Sequence, residues 1–475
     1  MKKVISILLA IVLVVGIGVG ISAAVIYNKP ENVAFGAIQG AIEDLLERDE
    51  IAPVWNMLHE GSLEVSVDKI KSDSHDVLNG GKIGGKIYFS ADAFMLENIN
   101  VSFGDVKVKG DIYASSDMLY VSESEIFDGK FGIVYKDAAK DLEESIFAYG
   151  ADSDYAIQDK EMYDTIVEIL KALGDTDSEK LQKDAEELAK EHIENIWKII
   201  CENVEFESDN EEVKLNGERE KVRVITIKID GEAMANIVKD IYEYLCEDES
   251  IGDFLEEHGS AFMVVSSSIK GSDSESIAEL YEQYLEDMED RIDDICDEIE
   301  ESADDIEIRI MTPKMSHKLL KAEIEVDGEE AFVIDFGKDG VKDTNEITIE
   351  VYGEELSYVI SENTKDSYKA KLEADGTDIM KVSIDKKGES YTLSFGDGYY
   401  TIKGGYVEDK DTTTFTVKKI VIGSGDSEYT YDADITIKIA EKDEIPAAPE
   451  DFDRISDITE ENIEKWIENI GNLFS

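Results

Sequence analysis

The side chains that could do chemistry are few and scattered. The histidines are His59, His75, His192, His258 and His317, with no H-E-x-x-H pair and no cysteine at finger spacing. A zinc hydrolase needs three ligands converging on one ion, two of them ordinarily from one turn of a helix. None is expected here. The Ser-x-x-Lys pattern, which places a lysine beside a serine nucleophile, occurs at Ser66–Lys69, Ser267–Lys270 and Ser383–Lys386. Its companion Lys-Thr-Gly box is missing, and Gly423-Ser424-Gly425 lacks the spacing of a nucleophile elbow. Serine catalysis is not expected either.

Carboxylates are so frequent that no single pair of them marks acid or base catalysis. The acidic loops at Asp409-x-Asp411 and from Asp339 to Glu346 have oxygen ligands for calcium but not the register of an EF-hand, and they read as solvated loops. Cys201, Cys246 and Cys296 allow at most one disulfide and leave one thiol over. Each falls in or beside the apolar stripe of an expected helix, so each reads as a small buried hydrophobe. No residue is given a catalytic, cofactor-binding or metal role, and no cofactor is expected.

The first stretch sets the compartment in which the rest works. Val4 to Tyr27 carries no charge and contains 15 Val, Ile or Leu residues. As a helix it is about 36 Å long, against a hydrocarbon core of about 30 Å. Lys2 and Lys3 hold its start in the cytoplasm by the positive-inside bias, which sends the body across the membrane. The alternative is secretion after cleavage of a signal peptide near Ser22-Ala23-Ala24. The apolar part ahead of Ser22 exceeds the usual h-region of about 7–15 residues, which favours a retained anchor. Gly16-x-x-x-Gly20 reads as ordinary glycine use in a span.

The composition excludes one class of partner. Asp and Glu number 110 against 47 Lys and Arg, a net charge of −63 spread along the body. Such a field repels nucleic acid and favours solubility. With 42% hydrophobic residues and plain periodicity, the charge does not mean disorder.

The elements follow from period and turn chemistry. Residues 1–3 form a cytoplasmic stub, 4–27 the transmembrane helix and 28–61 a helical membrane-proximal segment. An α+β domain is expected over 62–260, with strands between Ser62 and Lys136, a helix capped by Asp137 and a helix opened by the capping box Thr176-x-x-Glu179. One long amphipathic helix is expected in the connector 261–304, packed on a sheet rather than in a coiled-coil seam. Residues 305–445 alternate apolar and polar about every second position, with turns at Asp327-Gly328, Gly353-Glu354, Asp375-Gly376, Lys387-Gly388 and Gly396-Asp397-Gly398. That is an antiparallel β-meander. Residues 446–475 are a proline linker and a helix carrying Trp466 and Phe474, after which no wall-sorting motif is expected. The fold class is α+β: an N-terminal transmembrane helix, then an antiparallel β-rich ectodomain of curved meander or half-barrel sheets packed with long amphipathic helices.

Two stretches carry a resemblance. Phe131-Gly-Ile-Val-Tyr-Lys136 with Lys140-Asp-Leu-Glu-Glu-Ser-Ile-Phe147, and Ile445-Pro-Ala-Ala-Pro-Glu-Asp-Phe452 before the Trp466 helix, resemble uncharacterised single-span exported proteins of Gram-positive anaerobic bacteria. In architecture the meander backed by helices is similar to LolA-like half-barrel lipoprotein carriers, whose concave face holds acyl chains. The lipid-anchoring cysteine of such proteins is missing.

The expected function is a non-enzymatic, membrane-anchored extracytoplasmic binding or structural protein. Its partners would be the membrane and a hydrophobic ligand such as a lipid or cell-envelope component, or an envelope protein. The alternative is an exported enzyme of unrecognised type. An open apolar cavity of about 300–1,000 Å³ on the concave side would favour a carrier or sensor. The sequence sets no oligomeric state.

Overall fold

The computed structural model describes residues 29–475 except 73–74, 79, 91–92, 104–105, 123–128, 176, 267–276, 397, 424–427 and 474–475. The expected transmembrane helix, the Gly16/Gly20 pair, Thr176, Phe474 and the Ser267–Lys270 motif therefore lie outside the described residues. No helix among the described residues is long and apolar enough to cross a membrane.

Helices α1 (Pro30–Leu46) and α2 (Ala52–Glu60) open the described chain, with a proline in the first turn of each. Strands β1 (Ser62–Ser72), β2 (His75–Asp76), β3 (Lys82–Phe89), β4 (Ala93–Phe103), β5 (Val106–Ser115), β6 (Met118–Val121) and β7 (Phe131–Val134) follow. Next come α3 (Tyr135–Glu143), α4 (Lys160–Asp175) and α5 (Ser178–Asn203), then the hairpin β8 (Glu205–Leu215) and β9 (Glu218–Ile229). Helices α6 (Gly231–Glu247), α7 (Ser250–Ser266), α8 (Ile277–Glu289) and α9 (Ile292–Ser302) lead to β10 (Ile306–Thr312), β11 (Lys321–Val326) and β12 (Glu329–Asp335). After the short α10 (Gly340–Asp343) the meander runs through β13 (Glu346–Val351), β14 (Glu354–Asn363), β15 (Ser367–Ala374), β16 (Thr377–Asp385) and β17 (Ser390–Phe395). It ends with β18 (Tyr400–Asp409), β19 (Thr412–Ile422) and β20 (Tyr429–Ala440), and α11 (Glu460–Leu473) closes the chain.

All the strands belong to one curved sheet paired antiparallel throughout. From one edge the order is β7, β6, β5, β4, β3, β1, β20, then β19 down to β8 without a break, with β2 on the end of β1. The sheet passes through residue 305 because β9 pairs with β10 from Ile306↔Ile229 to Thr312↔Arg223. Type I′ turn geometry explains the tight hairpins: Asn216-Gly217, Asp327-Gly328, Tyr352-Gly353 and Asp375-Gly376 all have positive φ at both residues. Bulges at Val67/Lys69, Ile360/Glu362, Lys403/Gly404 and Val417/Lys419 bend the strands and increase twist.

One face of the sheet bears the helices. Val33, Ala34, Ala37 and Ile38 of α1 are all but fully buried on Ile225, Ile227, Ile306, Ile308 and Ile310, with Ile200 of α5 and Ile237 of α6 in the same core. Aromatic packing of Trp197 between Phe35 (5.4 Å) and Phe206 (6.1 Å) joins α5 to α1 and β8. At the far edge, Phe452 and Ile445 cover Tyr88, Met95, Tyr113 and Tyr120 on the opposite face.

Several expected elements differ. The helix expected to be capped by Asp137 begins earlier, at Tyr135, and stops at Glu143, leaving Ile146 and Phe147 in the turns beyond it. Asp177, not Thr176, caps α5, accepting from Lys180 N. The single long helix of the connector is two, α8 and α9, broken at Asp290–Arg291. Its packing also differs: Ile292, Cys296 and Met288 meet Ala235 and Val238 of α6, and Ile299, with Ala303 just beyond α9, also reaches the sheet-bound core.

Candidate functional site

The alternation that builds the strands places one apolar band along the helix-bearing face. Its rows run strand to strand, as in Asn363, Tyr368, Ile384, Tyr391, Gly404, Val417, Ile435, Val67, Ile83 and Val101, each paired with the next. Another runs Thr413, Ile439, Leu63, Ile87, Leu96, Ile112, Val121 and Phe131. Under α1, α5 and α6 this band is closed, with Ile308 4% exposed. Away from those helices it opens: Ile83 is 39%, Leu356 37% and Tyr400 49% exposed.

Where the chain passes from α1 to α2 it straps one end of the open band. A cleft of about 580 Å³ lies there, bounded by Asp49, Glu50 and Ala52–Val54 on the strap and by side chains of β14, β15, β16, β18, β19 and β20. Its apolar lining is Tyr358, Tyr368, Tyr406, Phe415, Ile384 and Ile439. Phe415 packs edge-on to Tyr391 and Tyr406, with both centroid distances 5.3 Å. Gly404 is required beneath this cluster, since a Cβ there would meet Thr416 O at 1.8 Å and the Tyr391 ring at 2.9 Å.

Buried polar contacts hold the strap. Arg48, 4% exposed, donates to the carbonyls of Val341 and of Thr344 (3.1 Å) and pairs with Glu50 at 2.7 Å. Asn56 Nδ2 donates to Glu441 Oε2 at 2.9 Å, which ties α2 to the end of β20.

Five of the polar side chains in the cleft pair with one another. Tyr358 and Tyr368 share a hydrogen bond, and burial pushes both hydroxyls above the usual tyrosine range. The Tyr406 hydroxyl donates to Glu408 Oε2 at 2.7 Å, and Lys386 Nζ meets the same oxygen at 3.0 Å. Those two contacts hold the Glu408 carboxyl below its ordinary value, while burial raises the Tyr406 hydroxyl. Four aromatic side chains thus share the lining with a charged set, Asp49, Glu50, Lys386, Glu408, Lys410 and Glu441.

The residues weighed in the sequence are dispersed. Ser383 pairs with Lys369 and Thr392, in alternation with the inward Ile384, whereas Lys386 lies at the cleft, so the pair is split between two sides. Lys69 lies 3.8 Å from Asp432. Ser208-Asp209-Asn210, which matches a second serine-hydrolase box, sits on edge strand β8, where Arg223 Nε donates to Ser208 Oγ at 2.9 Å. Lys410, between Asp409 and Asp411, is a hairpin residue at φ 47° and lines the cleft. In the other acidic loop Asp343 is bound to Lys318 at 2.8 Å, which lowers its carboxyl.

Among the described side chains the histidines do not meet one another. His59 stacks on Trp55 with centroids 4.2 Å apart, and His317 lies against Gly36. His192 contacts the Tyr244 hydroxyl at 2.6 Å and Ser250 Oγ at 3.2 Å, and that serine, the first residue of α7, donates to Asp248. His258 Nε2 lies 3.0 Å from Asp184 Oδ2, and with Glu257 these form the group whose ligand atoms are close enough, among the described residues, to share an ion. Lys180 already neutralises Glu257. The cysteines are free: burial raises Cys201 to about 12 and also raises Cys296, whereas Cys246 is exposed, contrary to the expectation that it is buried.

The two stretches that carry the resemblance touch each other. A Cβ on Gly132 would lie 2.5 Å from the Phe452 ring, and Gly132 N donates to Asp453 O at 3.0 Å. Arg454 then reaches Asp137 at 2.6 Å and Asp141 at 3.0 Å. Compared with models of protein families, with curated proteins and with solved structures, the chain matches none.

Proposed function

We propose that the chain is a non-enzymatic binding protein, anchored by Val4–Tyr27 with its body outside the cytoplasm, whose sheet holds an apolar ligand such as a lipid or another cell-envelope component. The reading is carried by the apolar band that continues beyond its helical cover into a cleft of about 580 Å³, within the usual range for a ligand site. Each methylene buried there contributes about 0.8 kcal/mol, so a chain lying along the band gains affinity by length rather than by a single contact. Binding rather than catalysis is supported by the way Tyr406, Lys386 and Glu408 neutralise one another.

The test is native mass spectrometry of the full chain extracted in mild detergent, with a fluorescent acyl probe as competitor. An apolar ligand is expected to co-purify and to be displaced by the probe. Ile437→Lys, which places a charge in the open band, should reduce probe affinity at least tenfold. Absence of a co-purified ligand, together with equal probe binding by wild type and variant, would overturn the proposal.

A further inference from the structure

Helix α2 has two unlike sides. Successive helical residues advance by about 100°, so Val54, Trp55 and Leu58 fall within one arc while Asn56 and Met57 point away from it. Met57 is 6% exposed and Asn56 holds Glu441 at 2.9 Å, which fixes the inner side. The outer side leaves Val54 44%, Trp55 40% and Leu58 46% exposed. Val54 also lines the cleft, so this greasy arc is the rim of its mouth.

Chain length says what lies against it. The apolar run ends at Tyr27, and α1 starts at Pro30. Between there and α2 stand one helix of about 25 Å and a short turn, so α2 stays within reach of the surface from which the anchor emerges. Tryptophan, with an apolar body and one N–H, favours the boundary between headgroups and acyl chains.

We propose that α2 docks on the lipid surface of the membrane that anchors the chain, with Val54, Trp55 and Leu58 at the headgroup–acyl boundary and the cleft mouth facing the bilayer. The docking rests on the anchored-binder reading and names the partner of the same site. Attraction is apolar, not electrostatic, because Asp49, Glu50 and Glu60 flank the helix. Anionic headgroups therefore weaken it, the reverse of a basic amphipathic helix.

The full chain in phosphatidylcholine nanodiscs with brominated acyl chains provides the test. Bromine quenches tryptophan only at lipid contact, and the difference between wild type and Trp55→Phe isolates Trp55. Wild type should be quenched severalfold more than Trp55→Phe, and replacing part of the lipid by phosphatidylglycerol should reduce the difference. A Tyr429→Trp reporter in the Trp55→Phe chain, about 36 Å away at the other end of β20, should show no quenching. Equal quenching of wild type and Trp55→Phe, or quenching at residue 429, would overturn the docking. The ligand reading stands or falls separately, by mass spectrometry in detergent. A chain that leaves the discs would overturn the anchor and the docking together.

Discussion

Asp335 is a buried carboxylate, 7% exposed, whose oxygens accept the backbone N–H groups of Asn216 and Gly337, both at 2.8 Å. It fixes the Asn216-Gly217 turn against the end of β12. Burial outweighs these hydrogen bonds and raises its pKa above the ordinary aspartate value. The raised folded value means that ionisation opposes folding, so the penalty is full above the folded value and disappears as pH falls through it towards the unfolded one. Asp335→Asn lacks the charge and should lack this pH dependence. Melting temperatures of both proteins between pH 4 and 8 should show the variant gaining on wild type as pH rises, and a pH-independent difference would remove the argument. Arg48 is the converse case, a buried cation with three acceptors. Arg48→Ala leaves the Val341 and Thr344 carbonyls unpaired and should cost about 2–4 kcal/mol in chemical denaturation, with loosening of the strap seen as faster amide exchange in residues 47–54. Neither residue could be picked out of the sequence, because among 110 acidic and 47 basic residues only the fold reveals which are buried.

At the scale of elements, local chemistry was legible and distant partnership was not. Asp230 as the cap of α6, Gly61 as the stop of α2 and the turns at Asp327-Gly328 and Asp375-Gly376 follow from a few adjacent residues. Strand β8 is hard to read from sequence because Glu205 to Leu215 is an acidic edge without regular apolar alternation, and its Asn216-Gly217 turn is hidden with it. The pairing of β1 with β20 joins nearly the two ends of the body, which no window of sequence can display. The cleft shares that property: Pro53 and Phe415 are both conspicuous, and only the strap brings them together. The clamp on β7 gives this scale its prediction. Gly132→Ala drives a methyl into the Phe452 ring and should cost about 1–3 kcal/mol. Limited proteolysis should then cut within residues 445–458 faster than in wild type, and unchanged cleavage would mean that Arg454 and its aspartates suffice to hold the tail.

The whole molecule is one sheet carrying a net charge of −63, and these two facts pull against each other. A continuous sheet brings acidic strands such as β12, β13 and β14 side by side, and ion pairs elsewhere in it, such as Arg309 with Glu211 and Glu323, both at 2.7 Å, offset only part of the repulsion. Folding concentrates like charge, so weakening that charge stabilises the fold. Raising salt from about 0.01 M to 0.15 M shortens the Debye length from about 30 Å to 8 Å and screens repulsion across several strands while sparing buried pairs. The melting temperature should rise by roughly 2–5 °C over that range. Acidification from pH 8 towards pH 5 should act in the same direction, since protonation reduces the net charge and relieves Asp335. Glu408 and Asp434 set the lower limit of that gain, because their contacts with Tyr406, Lys386 and Lys418 hold their carboxyls below the ordinary range. The depressed folded values make their contribution full above the unfolded value and lost as pH falls through the folded one. Stability should thus pass through a maximum on the acid side of neutrality and fall again below about pH 4. Differential scanning calorimetry over pH and sodium chloride tests both trends. A melting temperature that falls with added salt at pH 7.5 would mean that attractive pairs, not net repulsion, dominate the electrostatics of the sheet.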